Sequence, residues 1–481
     1  MARAAVRETH LSVLFFFGDH VVKVRKPEKF DFIDLSDPEH RAADCRREVE
    51  LNRRLAPDVY LGVASLVLEG RELEPVVLMR RLPEDRQLGN LVRRGADIAA
   101  QVHAVVVTLA DFHARAARSP VIDAAATPEA LLERWRATAG DLAPFEGPML
   151  DSGSHARVNA LAERYLTRHR RVLIERIAGG AVCDGHGDLQ ADDVFCCDDG
   201  PRILDCLEFD DRLRHGDVLA DVAFLAMDLE RLGATRAAGQ VVTDYEEVTA
   251  TAFPQSLVHF YTAARAQVRL LVACLQAEQE GLAVSPEAPP LLDLTLRHLE
   301  AAQARLVLVG GSPGTGKTTL AGRLGSVLDA EVLSTDALRR EVVGGEHRYS
   351  SAAKATVYRE LLDRARTSLD AGRSVVLDAT WGDAALRAGA GALATSSGAD
   401  LIELLCTCPP AVAARRVGVR LARGADESEA TEDVAVALAA ERDPWPSACP
   451  IDTGRLPDEA VAAALAALGE VGPTIGPGDA R

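Results

Sequence analysis

The length, composition and charge of the chain exclude several kinds of protein. With 481 residues the chain is too long for one hydrophobic core, because domains usually contain about 100 to 200 residues. Its hydrophobic fraction of 48% and charged fraction of 26% are typical of globular enzymes and not of disordered or fibrous proteins. The formal net charge of -18 disfavours general attraction to nucleic acids and anionic membranes. We therefore predict two or three domains and no nucleic-acid partner.

The cysteines and the first apolar run bear on cellular location. The nine cysteines are odd in number and include no C-x-x-C pair, which favours reduced, mostly buried thiols. The apolar run 11–17 is far shorter than the roughly 20 residues that span a bilayer. No small-residue cleavage site follows it. We expect this run to be a strand, and we expect a cytoplasmic protein with no membrane partner.

The first half of the sequence predicts a small sheet followed by helices. Alternating or β-branched apolar runs favour strands, whereas apolar residues three or four positions apart favour helices. In chain order the predicted elements are strands at 11–17 and 20–24, a helix at 41–55, strands at 66–69 and 75–79, helices within 98–180 and a strand at 202–205.

A Pro-rich stretch at 285–290 separates two helical patterns, and such segments favour linkers or sharp turns. A short apolar-faced helix is predicted after it, and the last residues are rich in Gly and Pro. The predicted organisation is a first domain at 1–285, a linker and short helix at 286–303, a second domain at 304–468 and a flexible tail at 469–481.

The most specific motif is a phosphate-binding loop of the pattern G-x-x-x-x-G-K-[ST], which follows the predicted strand 305–309 and precedes a helix. Its glycines let backbone N–H groups point at phosphate oxygens, and the helix N-terminus adds positive charge. The lysine reaches the outer phosphates of ATP, and the next hydroxyl binds Mg²⁺. The candidate ATP-binding residues are Gly311, Ser312, Pro313, Gly314, Thr315, Gly316, Lys317, Thr318 and Thr319, with Lys317 also a candidate catalytic residue and Thr318 a candidate Mg²⁺ ligand.

An acidic residue ends the predicted strand 374–377. Asp378 stands where a P-loop fold places the carboxylate that holds the Mg²⁺ shell, although a strand end can also carry an ordinary capping aspartate. We interpret Asp378 as a Mg²⁺ ligand and predict an α/β P-loop NTPase with a parallel sheet.

The predicted strand 331–334 is followed by Asp336 and a helical run that contains Arg339 and Arg340. A helix N-cap role alone would explain Asp336. The position also resembles P-loop kinases of the gluconate kinase, polynucleotide kinase and zeta-toxin group. That resemblance implies that Asp336 is a general base for the substrate hydroxyl and that Arg339 or Arg340 holds an anionic substrate group.

A later helix carries Arg416, Arg420 and Arg423 on one face, which could be a solvated basic surface. In the same kinase group, a lid helix brings arginines to the transferring phosphate. The resemblance therefore makes Arg416 and Arg420 candidate catalytic residues, without deciding which arginine is essential.

The first half has a second motif, His186-Gly187-Asp188 and the residues that follow it. The stretch 186–195 resembles the H-G-D-x-H-x-x-N loop of aminoglycoside and choline phosphotransferases, and 203–209 resembles their metal-binding I-D-x-x-E segment. This resemblance covers most of residues 1–285 and implies an α+β, protein-kinase-like domain with two lobes.

The resemblance also implies roles for single residues. Asp188 corresponds to the catalytic base, and Asp193 and Asp205 correspond to Mg²⁺ ligands. Lys23 corresponds to the lysine that contacts the nucleotide phosphates, and Glu48 to its carboxylate partner.

Three features leave this assignment open. Lys26 competes with Lys23, because the strand register cannot be fixed from the sequence. Asp193 and Gln190 stand where the family has Asn and His, and extra negative charge beside Asp188 raises carboxylate pKa values when no metal is bound. No glycine-rich nucleotide-covering loop is visible. An active kinase domain and a degenerate scaffold both remain possible interpretations.

The whole chain resembles bacterial two-domain proteins that join an aminoglycoside-phosphotransferase-like domain to a P-loop kinase. We expect an ATP- and Mg²⁺-dependent phosphotransferase that acts on a hydroxyl of a small molecule through its second domain. A nucleotide-gated regulator and a toxin-like kinase are the alternatives. The acceptor and the oligomeric state are not fixed by the sequence.

Overall fold

The structure of the protein is a computed structural model in which the chain divides into two compact units. The first unit ends at Ala302 and the second begins at Gln303, with Pro254–Ser256 grouped with the second. The predicted tail at 469–481 lies outside the described residues. Described are residues 5–9, 11–30, 33–69, 71–342, 350–423 and 442–468.

A five-stranded antiparallel sheet begins the first unit, with strand order β1-β2-β3-β7-β6. One face packs on helix α1, and Val21, Val77 and Met79 lie in the shared core. Helix α1 begins where Asp37 accepts a hydrogen bond from the backbone N–H of Glu39. The elements are β1 Ala5–Glu8, β2 Ser12–Phe17, β3 His20–Arg25, β4 Lys29–Phe30, β5 Ile33–Asp34, α1 Pro38–Asn52, β6 Tyr60–Leu68 and β7 Arg71–Arg80.

The rest of the first unit is mainly helical and encloses a second core. Its largest fully buried side chains include Leu109, Tyr165 and Phe224. The elements are α2 Leu88–Arg93, α3 Ala99–Arg115, α4 Pro120–Ala124, α5 Pro128–Leu142, α6 Ser152–Arg168, α7 Arg170–Ala178, β8 Val182–Asp184, β9 Val194–Cys197, β10 Gly200–Ile203, α8 Asp211–Arg214, β11 His215–Asp217, α9 Val218–Arg231, α10 Thr235–Thr249, α11 Gln255–Gln279 and α12 Ala288–Ala301.

The segment 286–303, predicted as a linker and short helix, is part of the first unit as far as Ala302. Helix α12 begins inside the Pro-rich stretch, with prolines in its first turn, where a missing N–H costs no intrahelical hydrogen bond. Leu291 and Leu294 are buried in the main core of this unit. The prolines therefore start a packed helix and do not form an extended connection.

A five-stranded parallel sheet forms the centre of the second unit, as the sequence predicted. The strand order is β13-β14-β12-β15-β16. The elements are β12 Arg305–Gly310, α13 Lys317–Leu328, β13 Glu331–Ser334, α14 Thr335–Val342, α15 Ser351–Asp370, β14 Val375–Asp378, α16 Ala384–Ser397, β15 Asp400–Thr407, α17 Pro410–Arg423, β16 Cys449–Asp452 and α18 Pro457–Ala467.

The central strand β12 is buried on both faces, which explains its continuous apolar sequence. Leu306 and Leu308 point into one core, whereas Val307 and Val309 point into the other. This alternation follows from the two-residue period of a strand. Because all five strands are parallel, their carboxyl ends and the loops that follow meet at one edge, where open α/β sheets bind ligands.

None of the described helices is both long enough and apolar enough to cross a bilayer.

The packing of α12 gives the first prediction. Replacing Leu291 by Ala should destabilise the first unit by about 2 to 5 kcal/mol, because a buried leucine leaves a cavity. Hydrogen–deuterium exchange in a urea series would show a lower midpoint for peptides from α6 and α9. Leu282→Ala, at a 45% exposed leucine, is the matched control. A midpoint that falls only for peptides of the second unit would contradict the assignment of α12.

Candidate active sites

The phosphate-binding loop of the second unit has the conformation that its glycines allow. Gly314 and Gly316 have φ values of 79° and 84°, in the left-handed region that favours glycine. A Cβ atom at Gly314 would lie 2.5 Å from the carbonyl oxygen of Ala413 on α17. The backbone of the loop therefore packs directly against α17, and a larger residue at Gly314 would displace one of them.

Thr318 and Asp378 meet at the carboxyl edge of the sheet. The Thr318 hydroxyl donates to Asp378 Oδ2 at 2.7 Å, and Asp378 is 4% exposed. The register of β12 and β14 places Val309 opposite Asp378, so the loop and this carboxylate start from neighbouring strands. Lys317 Nζ donates to the carbonyl oxygen of Ser312 at 3.0 Å and so reaches back over the loop.

These groups fit a nucleotide with Mg²⁺. Mg²⁺ prefers oxygen ligands and is usually bound by one or two carboxylates together with substrate phosphates, and Thr318 and Asp378 supply a hydroxyl and a carboxylate. The open backbone at the glycines and the N-terminus of α13 suit an anion. No cluster of three or more His, Cys, Asp or Glu side chains suited to a metal is found in the part of the chain that the structure describes.

Arg416, which lies on α17, is connected to the loop through Thr453. Its Nη2 donates to the carbonyl oxygen of Thr453 at 2.9 Å, and Thr453 Oγ1 donates to the carbonyl oxygen of Thr315. Arg416 Nη1 is buried without a hydrogen-bond partner among the described residues and would lie 3.6 Å from a Cβ atom at Gly316. The side chain of Arg420 lies outside what the structure describes.

Asp336 lies in the first turn of α14, which begins at Thr335. Its backbone N–H donates to Ser334 Oγ at 3.2 Å, and its carboxylate accepts from Arg339 Nη1 at 2.6 Å. Because Ser334 is opposite Asp378 in the sheet, Asp336 lies at the same edge as the loop. Its side chain is 32% exposed, and its role as a general base stays a prediction.

Two basic residues that the sequence analysis missed line a cleft beside the loop. Lys354 on α15 and Arg442 border this cleft together with Gly311, Ser312 and Thr380. Arg442 Nη2 donates to the carbonyl oxygen of Thr380 at 2.8 Å. Neither residue belongs to a local motif, so no signal in the sequence connects them with the loop.

In the first unit, a buried lysine joins two of the predicted carboxylates. Lys23 Nζ lies 2.8 Å from Glu48 Oε1 and 2.9 Å from Asp205 Oδ1. Burial opposes the charge on Lys23, but Asp205 and Glu48 raise its pKa above the ordinary value. Lys26 instead pairs with Glu8 on the surface. The structure therefore places Lys23, and not Lys26, at this site.

Arg25 is a further charged residue that the sequence analysis missed. It lies two residues after Lys23 on the same strand face, and its Nη2 is 2.9 Å from Glu48 Oε2. Arg25 also pairs with Glu208 and Asp44. Glu48 is therefore held between two cations, which fixes its position inside the unit.

The loop that carries Asp188 is held through its backbone by a buried aspartate. Asp221 accepts from the N–H groups of His186 at 2.7 Å and Gly187 at 2.9 Å, and from His113 Nε2 at 3.2 Å. Burial raises the pKa of Asp221, but the hydrogen bond and charge of His113 outweigh it, and the pKa is lowered. Asp221 is therefore a carboxylate that orients the loop.

Asp188 and Asp193 lie in an environment that disfavours their negative charge. Burial raises the pKa of Asp188, and nearby Asp205 adds to the effect. The pKa of Asp193 is raised well above its ordinary value by burial and by the charges of Asp205 and Asp188. Gln190 Nε2 donates to Asp188 Oδ2 at 3.1 Å. A divalent cation between Asp193 and Asp205 would relieve this repulsion, so the residues fit Mg²⁺.

Comparison with known proteins agrees with this division. Residues 19–255 match the family model "Phosphotransferase enzyme family", and residues 306–444 match "AAA domain". Uncharacterized proteins of Mycobacterium tuberculosis and Mycobacterium bovis are 38% identical over 460 residues, which is 93% of this chain and 92% of theirs. The chain belongs to the same protein family as these mycobacterial proteins. Its first unit is a kinase-like phosphotransferase domain, and its second is a P-loop kinase domain.

Two solved structures are similar to parts of the chain. One is the GDP and kanamycin complex of APH(2")-IIia. The match has 16% sequence identity, covers 63% of this chain and 94% of that chain, and has a TM-score of 0.41. The other is a gluconokinase from Sinorhizobium meliloti. The match has 16% sequence identity, covers 35% of this chain and 92% of that chain, and has a TM-score of 0.26.

The contact between Thr318 and Asp378 gives the second prediction. Asp378→Asn should weaken ATP binding roughly 10-fold in the presence of Mg²⁺, and far less in EDTA, because a charged Mg²⁺ partner is lost. Fluorescence of Trp445, which packs on Gly310 just before the loop, would report binding at this unit. Asp363→Asn, at an exposed aspartate of α15, is the control. Equal weakening with and without Mg²⁺ would argue against a metal role.

Proposed function

We propose that the chain is an ATP- and Mg²⁺-dependent phosphotransferase whose second unit transfers the γ-phosphoryl group of ATP to a hydroxyl of a small molecule. The observation that supports this most is the position of Lys317, Thr318 and Asp378 at one sheet edge. Thr318 donates to Asp378 at 2.7 Å, and Lys317 donates to the carbonyl oxygen of Ser312 in the loop at 3.0 Å. A cation, a hydroxyl and a buried carboxylate are the groups that P-loop phosphoryl transfer requires.

In the proposed reaction, a bond forms between the acceptor hydroxyl oxygen and the γ-phosphorus, and the bond from that phosphorus to the β–γ bridging oxygen breaks. ADP leaves, and the hydroxyl proton passes to the carboxylate of Asp336. Bound Mg²⁺ would neutralise part of the phosphate charge. Lys317 would hold the outer phosphates, and Arg416 and Arg442 would offset charge that develops on the transferring group.

We infer that the first unit contains a second phosphotransferase site and is not a degenerate scaffold. The supporting observation is that Lys23 contacts both Glu48 and Asp205, although the family motif is altered at Gln190 and Asp193. Asp188 would accept the hydroxyl proton there. The substitution at Asp193 keeps an oxygen ligand for Mg²⁺.

The partner we propose is a small-molecule phosphoryl acceptor, and we propose no nucleic-acid or membrane partner. We place the reaction in the cytoplasm. The net charge of -18 supports this choice, because long-range repulsion disfavours polyanionic surfaces.

The third prediction separates the two units. ATP turnover is measured across a panel of hydroxylated metabolites. With acceptors of the second unit, turnover should fall roughly 100-fold in Lys317→Ala, because the loop loses its only ammonium. Asp188→Ala should remove only the turnover that the first unit contributes. Lys29→Ala changes an exposed lysine paired with Asp34 and is the matched control.

Two other results would change the proposal. If Asp188→Ala, and not Lys317→Ala, abolished turnover, the first unit would be the main catalyst. If ATP bound stoichiometrically while turnover stayed at the uncatalysed rate for every acceptor, a nucleotide-gated regulator would explain the chain better.

A further inference from the structure

The buried part of helix α9 contains two charged side chains, and both bind the backbone of the same loop. The helix buries the continuous stretch 218–229, in which every side chain except those of Asp221 and Asp228 is uncharged. Asp221 accepts from the N–H groups of His186 and Gly187. A buried carboxylate is unfavourable unless its partners replace the lost water, so the partners of Asp228 indicate why it is there.

Asp228 holds the other end of that loop. The residue is 1% exposed, and its Oδ2 accepts from the backbone N–H of Ala191 at 2.9 Å. Its Oδ1 accepts from Nε of Arg231, the last residue of α9, at 2.9 Å. The carboxylate therefore joins the end of α9 to the loop, with one oxygen for each partner.

The spacing of the two aspartates leaves little slack in the loop between them. Asp228 follows Asp221 by seven positions, so the two lie on one face of the helix, two turns or about 10 Å apart along its axis. The segment from Gly187 to Ala191 spans at most roughly 14 Å when fully extended. Asp188, the candidate base, lies between these two anchored residues.

The hydrogen bond at Ala191 lies at the start of the turn that carries Asp193. A one-turn 3₁₀ helix runs over Ala191–Asp193. The carbonyl oxygen of Asp193 accepts from the N–H of Leu204 at 2.9 Å, and Leu204 directly precedes Asp205. The bond to Asp228 is thus the first of a series of contacts that place two candidate Mg²⁺ ligands on neighbouring, hydrogen-bonded segments.

The other side-chain contacts of this turn lie at the surface. Arg93 Nη1 and Nη2 donate to the carboxylate of Asp192 at 2.9 and 2.7 Å, and both side chains are exposed. Exposed ion pairs contribute little because water and salt screen them, whereas a buried N–H that loses its acceptor is strongly penalised. Asp228 therefore constrains the turn more than Arg93 does.

We propose that Asp228 is a positioning residue of the first unit, which holds Ala191 so that Asp193 and Asp205 bind one Mg²⁺ together. This proposal rests on the proposed function of the first unit. Asp228 acts through the backbone and is not itself a metal ligand, because its two oxygens face Ala191 and Arg231.

A matched pair of double variants of the full-length protein separates this role from the ion pair with Arg231. Asp228→Asn with Arg231→Gln keeps an oxygen for Ala191, because the glutamine can accept from the asparagine amide and leaves the asparagine oxygen available. Asp228→Ala with Arg231→Gln loses the acceptor. Both variants lack the ion pair, so they differ in the hydrogen bond to Ala191.

The first measurement is amide hydrogen exchange at single-residue resolution, without metal or nucleotide. The Ala191 amide should exchange roughly 100-fold faster in the Ala variant than in the Asn variant, because its acceptor is lost. The amides of His186 and Gly187, which Asp221 holds, should exchange at similar rates in both variants. An equal increase at all three amides would show a merely structural role and would overturn the inference.

The second measurement is the affinity for Mn²⁺, a paramagnetic probe that is followed by electron paramagnetic resonance. All proteins in this titration also carry Asp378→Asn, which removes the candidate metal carboxylate of the second unit. The Ala variant should bind Mn²⁺ at least about 10-fold more weakly than the Asn variant, because loss of a contact that orients a metal ligand has effects of this size. Equal affinities in the two variants, or no binding when position 228 is unchanged, would contradict the proposal.

The outcomes distinguish this inference from the proposed function. If Ala191 exchange and Mn²⁺ affinity both depend on the acceptor at position 228, but Lys317→Ala protein phosphorylates no hydroxylated metabolite, the inference stands and phosphoryl transfer by the first unit does not.

If the Ala variant does not fold, exchange in the wild-type protein decides. An Ala191 amide that exchanges at least roughly 100-fold more slowly than in the unfolded chain supports the contact with Asp228. A freely exchanging amide overturns it.

Discussion

A strongly acidic chain with the proposed function must concentrate its positive charge at a few points. The sequence holds five lysines, Lys23, Lys26, Lys29, Lys317 and Lys354. Three of them lie at the candidate sites, where Lys23 contacts buried carboxylates, Lys317 covers the phosphate loop and Lys354 lines the neighbouring cleft. Local positive charge, and not overall attraction, would therefore direct a nucleotide to the proposed sites.

The two units supply positive charge in different ways. In the second unit, main-chain N–H groups and one helix N-terminus provide most of the positive field, so glycines and a parallel sheet edge are required. In the first unit the field comes from side chains, because Lys23 and Arg25 project from one strand and are fixed by Glu48. The phosphate loop of the second unit is encoded by a contiguous motif, whereas the site of the first unit depends on contacts between residues that are far apart in the sequence.

That difference explains how much of the structure the sequence could predict. The parallel sheet, the loop and the contact of Thr318 with Asp378 follow from a local motif and from strands that end at one edge. The sequence could not decide whether Lys23 or Lys26 lies at the site of the first unit, because no local motif fixes the register of the strand. Strand β3 alternates, and its buried face carries Lys23 and Arg25, which is the reverse of the usual pattern in which charged side chains face water.

Other features depend on contacts that no short stretch of sequence encodes. The Pro-rich stretch predicted a linker, but prolines are also tolerated in the first turn of a helix, and the burial of Leu291 decides between the two structures. Lys354 and Arg442 meet beside Ser312 only because separate segments of the second unit converge there. Sequence patterns fix the elements, and long-range packing decides which side chains share a site.

The altered motif of the first unit changes the charge balance around Asp188. An aspartate at position 193, where the family has a neutral amide, adds a third carboxylate close to Asp188 and Asp205. Burial raises the pKa of Asp193, and the charges of Asp205 and Asp188 raise it further. Lys23 offsets the charge of Asp205 on one side. On the other side, Arg265 and Arg269 act on Asp188. Burial and the charge of Asp205 raise the pKa of Asp188, whereas the charges of these arginines lower it. The arginines therefore favour the ionised form of Asp188, which is the form that can take a proton from an acceptor hydroxyl.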